Sequence, residues 1–180
     1  MVGPRRRARE IVLQILTQMD VSPELDARRA LALYFDHLAA DADPDDGDEL
    51  AGAPPAPPRR EPATRGLGSG TGSAAAPAPA AASYDRAMVD ELVTGAFVHR
   101  AELDELLQTL SRNWRVERMA LVERNVIRLG LLELKYFPSV PANVVIDEAI
   151  ELTKRFGTAE GAAFVNGLLD RAVTELGLRP

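Results

Sequence analysis

The sequence predicts an all-α protein, a bundle of about seven helices interrupted by one long disordered insertion. Three observations predict this fold class. Apolar residues recur every three or four positions on both sides of a central gap, and no segment alternates apolar and polar residues as a strand does. The gap itself is rich in proline, glycine and alanine. With 180 residues, the chain suits one domain that carries a flexible segment.

The first two helices are expected at the start of the chain. A first helix would bury one continuous apolar stripe made of Ala8, Ile11, Val12, Ile15, Leu16 and Met19. Ser22 followed by Pro23 is typical of a helix N-cap and first turn, so a second helix is expected to begin there. Its inward residues would be Leu25, Ala30, Leu31, Leu33, Tyr34 and Leu38.

The insertion is predicted over residues 41–83. Eight of the 13 prolines lie between Pro44 and Pro79, and Leu50 and Leu67 are the only long apolar residues there. Such a segment cannot bury enough apolar surface to offset its ordering entropy, so it is expected to be disordered. The chain is therefore divided into first helices at 1–40, the insertion at 41–83 and the remaining helices at 84–180.

The second half of the chain continues the helical pattern. Ser83 is a candidate N-cap, and residues 119–137 are apolar nearly all round, which is typical of a central helix. Asn143 is expected to cap the next helix, Gly157 to end it, and Thr158 or a neighbour to start the last one. The inward residues would include Met88, Leu92, Val93, Phe97, Leu103, Leu106, Leu107, Leu110, Val145, Ala149, Leu152, Phe164, Val165, Leu168, Leu169, Ala172 and Leu176.

Composition argues against several classes of function. The chain has no cysteine, and His37 and His99 belong to no metal-ligand pattern, so no metal, cofactor or catalytic constellation is expected. Adjacent carboxylates such as Asp147 and Glu148 point to different sides of a helix and are expected on solvated faces. No apolar run suits a signal sequence or a membrane span, so a cytoplasmic protein without a membrane partner is expected.

The start of the chain carries a cluster of arginines that points to nucleic acid. Arg5, Arg6, Arg7 and Arg9 lie on the first turns of the first helix, and they are expected to fan around the side opposite Ala8. Four close guanidiniums repel one another and oppose the helix dipole, a cost that a phosphate backbone would offset. The net charge of −6 requires that any such surface be local. The alternative is a basic, solubilising start, and the arginines alone do not decide between the two.

Several segments together resemble the NusB family of bacterial transcription antitermination factors. RRRARE at 5–10 is similar to the family's N-terminus, and the second half matches almost continuously. The segments that carry the resemblance are NW at 113–114, ERNVIRLGLLEL at 123–134, VPANVVIDEAIELTKRFG at 140–157 and FVNGLLD at 164–170. The resemblance covers essentially everything outside the insertion, which has no counterpart in compact family members.

The resemblance implies two packed helical subdomains in one compact domain, and a function without catalysis. It implies binding to the boxA element of nascent ribosomal RNA together with NusE, a small-subunit ribosomal protein, during assembly of an antitermination complex on RNA polymerase. By position, the arginine cluster would contact RNA, with Glu160 and Phe164 at the same RNA surface. Glu123 would face NusE. Phe164 has the alternative of a plain core residue, while Arg128 and Glu133 are expected in structural ion pairs.

Other functions stay open at this point. One is a helical protein-interaction module that binds only NusE or a second copy of itself, so a homodimer is an open expectation. Another is a detached relative of the NusB-like domain of rRNA methyltransferases, although the chain lacks the cysteine and the cofactor-binding sheet expected of that enzyme. The acidic start of the insertion, residues 41–49, could also compete weakly with RNA for the arginine cluster. A compositional insertion without a role is the alternative preferred for that segment.

Overall fold

The computed structural model describes residues 3–40, 83–111, 115–158 and 160–178, with the side chains of 38–40 left out. These residues form seven α-helices and one 3-10 helix, and they contain no strand. The helices are α1 (Pro4–Val21), α2 (Ala27–Ala40), α3 (Arg86–Val98), α4 (Arg100–Leu110), α5 (Leu121–Tyr136), α6 (Ala142–Phe156) and α7 (Gly161–Glu175), and the 3-10 turn is Val116–Arg118. The predicted all-α class is confirmed.

The first three helices pack against one another. The predicted stripe of α1 is buried from Ala8 to Met19, and α1 contacts both α2 and α3. The start of α2 differs from the expectation, because Ser22 ends α1 and the side chain of Asp26 accepts a hydrogen bond from Arg29 N at 2.8 Å. Aspartate caps a helix N-terminus about as well as serine does. The cap of α2 is therefore Asp26, four residues after the predicted Ser22.

The second half of α2 contacts the start of α3, although the insertion separates these two helices in the sequence. The rings of Phe35 and Tyr84 stack with centroids 6.0 Å apart, and Arg86 lies over the Phe35 ring. Asp85 caps α3 by accepting a hydrogen bond from Met88 N, so the prediction of Ser83 as the cap is wrong. Of the insertion predicted over 41–83, residues 41–82 lie outside the described residues.

Helix α5 lies at the centre of the bundle. This helix contacts α1, α3, α4, α6 and α7, which confirms its predicted central place. Two glycines let neighbours approach closely: a Cβ on Gly95 would lie 3.3 Å from Leu132 Cδ1, and one on Gly130 would lie 2.9 Å from Leu169 Cδ1. The α1–α3 group and the α4–α7 group share a single buried core, so they form one domain.

Some sequence expectations in this half need correction. Helix α6 begins directly after Pro141, so Asn143 lies inside its first turn, and α7 begins at Gly161 rather than at Thr158. Phe97, expected to face inward, is 42% exposed near the end of α3. Gly157 does follow the last residue of α6, as predicted.

Candidate nucleic-acid interface

The first turns of α1 present the arginine cluster unevenly. Arg5 is exposed, and the side chains of Arg6 and Arg7 are 39% and 33% exposed. Arg9 is buried, with 5% of its side chain exposed. The expectation that all four guanidiniums fan around the solvent side is therefore wrong for Arg9, because this residue faces α5.

Arg9 forms a buried ion pair with Glu133 of α5. Its Nε donates to Glu133 Oε1 at 2.8 Å, and its Nη2 donates to Oε2 at 2.6 Å. This bidentate geometry is the strongest form of an arginine–carboxylate contact. The structural ion pair expected for Glu133 is confirmed, and the pair fastens the start of α1 to the central helix.

Arg6 is held by Glu148 of α6. Its Nε lies 3.2 and 3.1 Å from the two oxygens of Glu148, and its Nη2 donates to Oε1 at 2.8 Å. The hydrogen bond and the charge of Glu148 raise the pKa of Arg6. Glu148 was expected on a solvated face, yet its side chain is 16% exposed. The expectation failed because helix periodicity does not reveal which other helix lies alongside.

Glu10 connects two further arginines. Its Oε2 accepts a hydrogen bond from Arg7 Nη1 at 2.8 Å, and its Oε1 accepts one from Arg155 Nη1 on α6. Glu10 is 1% exposed, while the side chain of Arg155 is 52% exposed. The repulsion within the cluster, which a phosphate backbone was expected to offset, is therefore largely offset by the protein itself. Carboxylates from three helices supply much of the negative charge that was assigned to RNA.

The pair of Arg6 and Glu148 borders an open cleft at the start of α1. It has a volume of about 950 Å³ and lies between the first turn of α1 and the segment that leads into α6. Arg5, Arg6, Arg9 and Glu148 line it, together with the exposed side chain of Val144. A cleft with two accessible guanidiniums and an apolar wall suits a chain of phosphates that carries unpaired bases.

The other predicted site residues meet at a different place. Glu123, Glu160 and Phe164 line a pocket of about 250 Å³ at the starts of α5 and α7, with Met119 on its wall. Phe164 is half-buried against the core and Glu160 is exposed at the rim. This pocket and the arginine cleft share no lining residue among those described. Ten residues of α5 separate Glu123 from Glu133, which corresponds to about 15 Å along the helix axis.

Glu123 lies at the bottom of this pocket rather than on the surface. It is 3% exposed, and its Oε1 accepts hydrogen bonds from the Thr158 amide at 2.8 Å and the Thr158 hydroxyl at 2.7 Å. Burial raises the pKa of Glu123, but the bonds from Thr158 outweigh it and the net shift is downward. Its Oε2 is buried and has no hydrogen-bond partner within the described residues. The carboxylate is therefore held ionised beneath the lining of the pocket.

Comparison with known proteins places the chain in a family. The model of the NusB family matches residues 73–174. A transcription antitermination protein NusB from Symbiobacterium thermophilum is 36% identical over 169 residues, which are 94% of this chain and 88% of that protein. The chain belongs to the NusB family. The resemblance seen in the sequence is thereby confirmed.

Other relatives of this NusB-family chain match over shorter stretches. Transcription antitermination proteins NusB from Myxococcus xanthus and Sorangium cellulosum are 55% identical over 86 residues and 53% identical over 92 residues. The chain spans 61% and 66% of those two proteins, which is less than two thirds of either. These relatives are named as antitermination proteins and not as enzymes.

Solved structures share the NusB fold. T. maritima NusB is 26% identical, with a TM-score of 0.66 over 97% of this chain and 94% of that one. A chain in a structure titled as a plectonemic RNA supercoil is 19% identical, with a TM-score of 0.66 over 99% of this chain. The second likeness concerns the fold alone.

A second cluster of charged residues, which sequence reasoning missed, lies at the end of α1 in this NusB-family chain. Asp20, whose side chain is 1% exposed, accepts hydrogen bonds from Arg124 Nη2 and Arg128 Nη1 at 2.8 Å each, and also from Arg100. Arg128 donates at 2.6 and 2.9 Å to Asp104, which confirms its structural pairing. The one available signal was an arginine within the most apolar helix, and it did not identify Asp20 as the partner.

Two classes of site are missing from the part of this NusB-family chain that the structure describes. No helix there is long and apolar enough to cross a membrane. No three His, Asp or Glu side chains gather there in a group that could hold a metal ion.

Proposed function

We propose that this chain is a non-catalytic RNA-binding antitermination factor that binds a boxA-type element of nascent rRNA together with NusE. In this role it supports the assembly of an antitermination complex on RNA polymerase. The observation that carries the proposal is the accessible guanidinium surface formed by Arg5, Arg6 and Arg7 on the first turn of α1. Membership in the NusB family supports the same role.

The arginine surface suits single-stranded RNA for physical reasons. A guanidinium donates two parallel hydrogen bonds to a phosphate and can also stack on an unpaired base. With a net charge of −6 the chain as a whole does not attract RNA, so binding depends on local groups of cations such as this one. Arg9 is given a positioning role, because its buried pair with Glu133 leaves it little surface for RNA.

The Glu123 pocket supports a role in contacts with the partner. The ionised carboxylate of Glu123 lies beneath its lining, so its negative charge would attract a basic side chain of NusE that enters from the open side. We assign Phe164 and Glu160 to the RNA end of the same rim, as their family positions imply. The exposed place of Glu160 and the half-buried ring of Phe164 are compatible with that assignment.

One observation favours a second function. Arg6, Arg7 and Arg9 are already paired with carboxylates, as they would be in a protein-interaction module that binds NusE without touching RNA. That module would need the arginines only for its fold. The two functions differ in whether the arginines bind RNA phosphates. Because phosphate contacts make RNA affinity depend on salt, a measurement of RNA affinity over a salt series distinguishes the two functions.

The experiment measures RNA affinity with NusE present, for the wild type and for a variant with Arg5, Arg6 and Arg7 all changed to alanine. We expect weaker binding of boxA RNA and a slope of log affinity against log salt reduced by about 2, at roughly 0.7 per phosphate contact. Arg28→Ala, which removes an exposed arginine from α2, is the control for general charge. An unchanged slope in the triple variant, with NusE binding retained, would establish the protein-interaction module instead.

A further inference from the structure

Arg6, Arg7 and Arg155 are each held by a carboxylate at one part of the guanidinium, which leaves another edge free. A guanidinium has a side edge, Nε with Nη2, and an end edge, Nη1 with Nη2, and either can bind an anion bidentately. Arg6 gives its side edge to Glu148. Its Nη1 has no protein partner among the described residues, and 39% of its side chain is exposed. Arg6 is therefore fixed by a protein carboxylate while its end edge faces the solvent.

Arg7 and Arg155 show the opposite arrangement around Glu10. Each donates one Nη1 bond to a separate oxygen of Glu10, and the side edge of each guanidinium makes no hydrogen bond to protein among the described residues. Glu10 is buried, so its carboxylate does not face the solvent where RNA phosphates would approach these arginines. The Arg155 guanidinium also lies 5.1 Å from the centre of the Phe156 ring, which limits its movement.

We infer that Glu148 and Glu10 are positioning residues of the RNA-binding surface, and that Arg155 extends this surface from α1 onto the end of α6. The inference rests on the proposed RNA binding. The surface then consists of one arginine without a carboxylate partner in the described residues, Arg5, and three that carboxylates hold. RNA phosphates bind the free edges of the held arginines without displacing the carboxylates.

Positioning and competition predict opposite effects for Glu148. In a purely electrostatic view, its negative charge weakens the attraction for RNA, so its removal should tighten binding. In the geometric view, a free arginine loses rotamer freedom when it binds, and a fixed one has already lost it. Arg9 Nη1, 3.9 Å from Glu148 Oε2, keeps the Glu148 carboxylate in place from the other side. Since both oxygens of Glu148 contact Arg6, the geometry favours positioning.

The test uses Glu148→Gln, which keeps the size of the side chain and removes its charge. We expect about fivefold weaker binding of boxA RNA with NusE present, the effect of one typical hydrogen bond. Unchanged or tighter binding would overturn the positioning role. The same substitution in an Arg6→Ala background should have no further effect, because Glu148 acts through Arg6. A loss that persists in that background would mark general structural damage and also overturn the inference.

Arg155→Ala tests the extension of the surface. We expect the salt slope to fall by about 0.7, since one phosphate contact is lost, while Arg28→Ala leaves the slope unchanged. Arg155→Lys keeps the charge and loses the planar edge, so it should restore the slope more fully than the affinity. An unchanged slope in Arg155→Ala would exclude Arg155 from the surface.

The triple variant of Arg5, Arg6 and Arg7 distinguishes a failure of the proposed RNA binding from a failure of the roles inferred for Glu148 and Arg155. If it leaves RNA binding unchanged, the proposed function is wrong. If it weakens binding while Glu148→Gln and Arg155→Ala do not, only the present inference is wrong.

Discussion

The buried pair between Arg9 and Glu133 gives the sharpest prediction for stability. Arg9→Met removes both hydrogen bonds of the pair and leaves Glu133, with 2% of its side chain exposed, without another side-chain partner in the described residues. Methionine fills a similar volume, so most of the change in the free energy of unfolding comes from the loss of the arginine charge and not from a cavity. The variant should therefore be strongly destabilised, because a single charge is left without compensation in the core.

The magnitude follows from the cost of leaving one charge of a buried pair without its partner, which is about 3–5 kcal/mol. We therefore expect a loss of about 3–5 kcal/mol, or roughly 10–15 °C in Tm. Urea unfolding followed by circular dichroism measures this loss for the single variant against the wild type.

A double variant supplies the control. Arg9→Met with Glu133→Leu removes both charges, and we expect a stability within about 1 kcal/mol of the wild type. A loss below about 1 kcal/mol in the single variant, or a double variant as unstable as the single one, would refute the reasoning.

Two further predictions concern stability. Asp20→Asn should cost about 3–5 kcal/mol in urea unfolding, because three arginines lose their shared carboxylate. Burial raises the pKa of Asp20, but the bond from Arg124 and the neighbouring guanidiniums lower it overall, so its contribution is present above about pH 3.9 and is lost as pH falls further. Acid unfolding as steep in Asp20→Asn as in the wild type would contradict this. Gly161→Ala should cost about 1–3 kcal/mol, because its Cβ would lie 2.9 Å from Glu123 Cγ and closer still to Oε1. The matched Gly167→Ala, with open space around its Cβ, should instead stabilise α7 by about 0.5–1 kcal/mol, and equal effects of the two would exclude the steric explanation.

The sequence predicted the helices and the buried faces well, and the helix starts poorly. Helical spacing alone identified the stripe of α1 and the central α5, because burial repeats with the period of the helix. The starts of α2 and α3 were assigned to Ser22 and Ser83, whereas Asp26 and Asp85 cap them. Several nearby residues can each cap a helix, so the position depends on how the preceding chain packs.

The candidate sites were predicted as residues but not as an arrangement. The arginine cluster and the family positions of Glu123, Glu160 and Phe164 were all identifiable in the sequence. Their grouping into a cleft and a separate pocket was not, since it depends on how α1, α5, α6 and α7 meet. Arg155 gave no signal of its own, because it precedes the glycine that ends α6 and resembles an ordinary basic last turn.

The sequence by itself determined the all-α class, the buried helix faces, the concentration of arginine at the start and the resemblance to the NusB family. These features depend on periodicity and local composition, which neighbouring residues define. The tertiary structure alone decided which arginines are accessible and which carboxylates hold them. Arg5 and Arg9 are both arginines of one helix, yet one is exposed and the other lies in the core beside Glu133. The two ion pairs join residues that are far apart in the sequence: Arg9 and Glu133 are separated by 124 positions, and Arg6 and Glu148 by 142. No local sequence pattern encodes such partners.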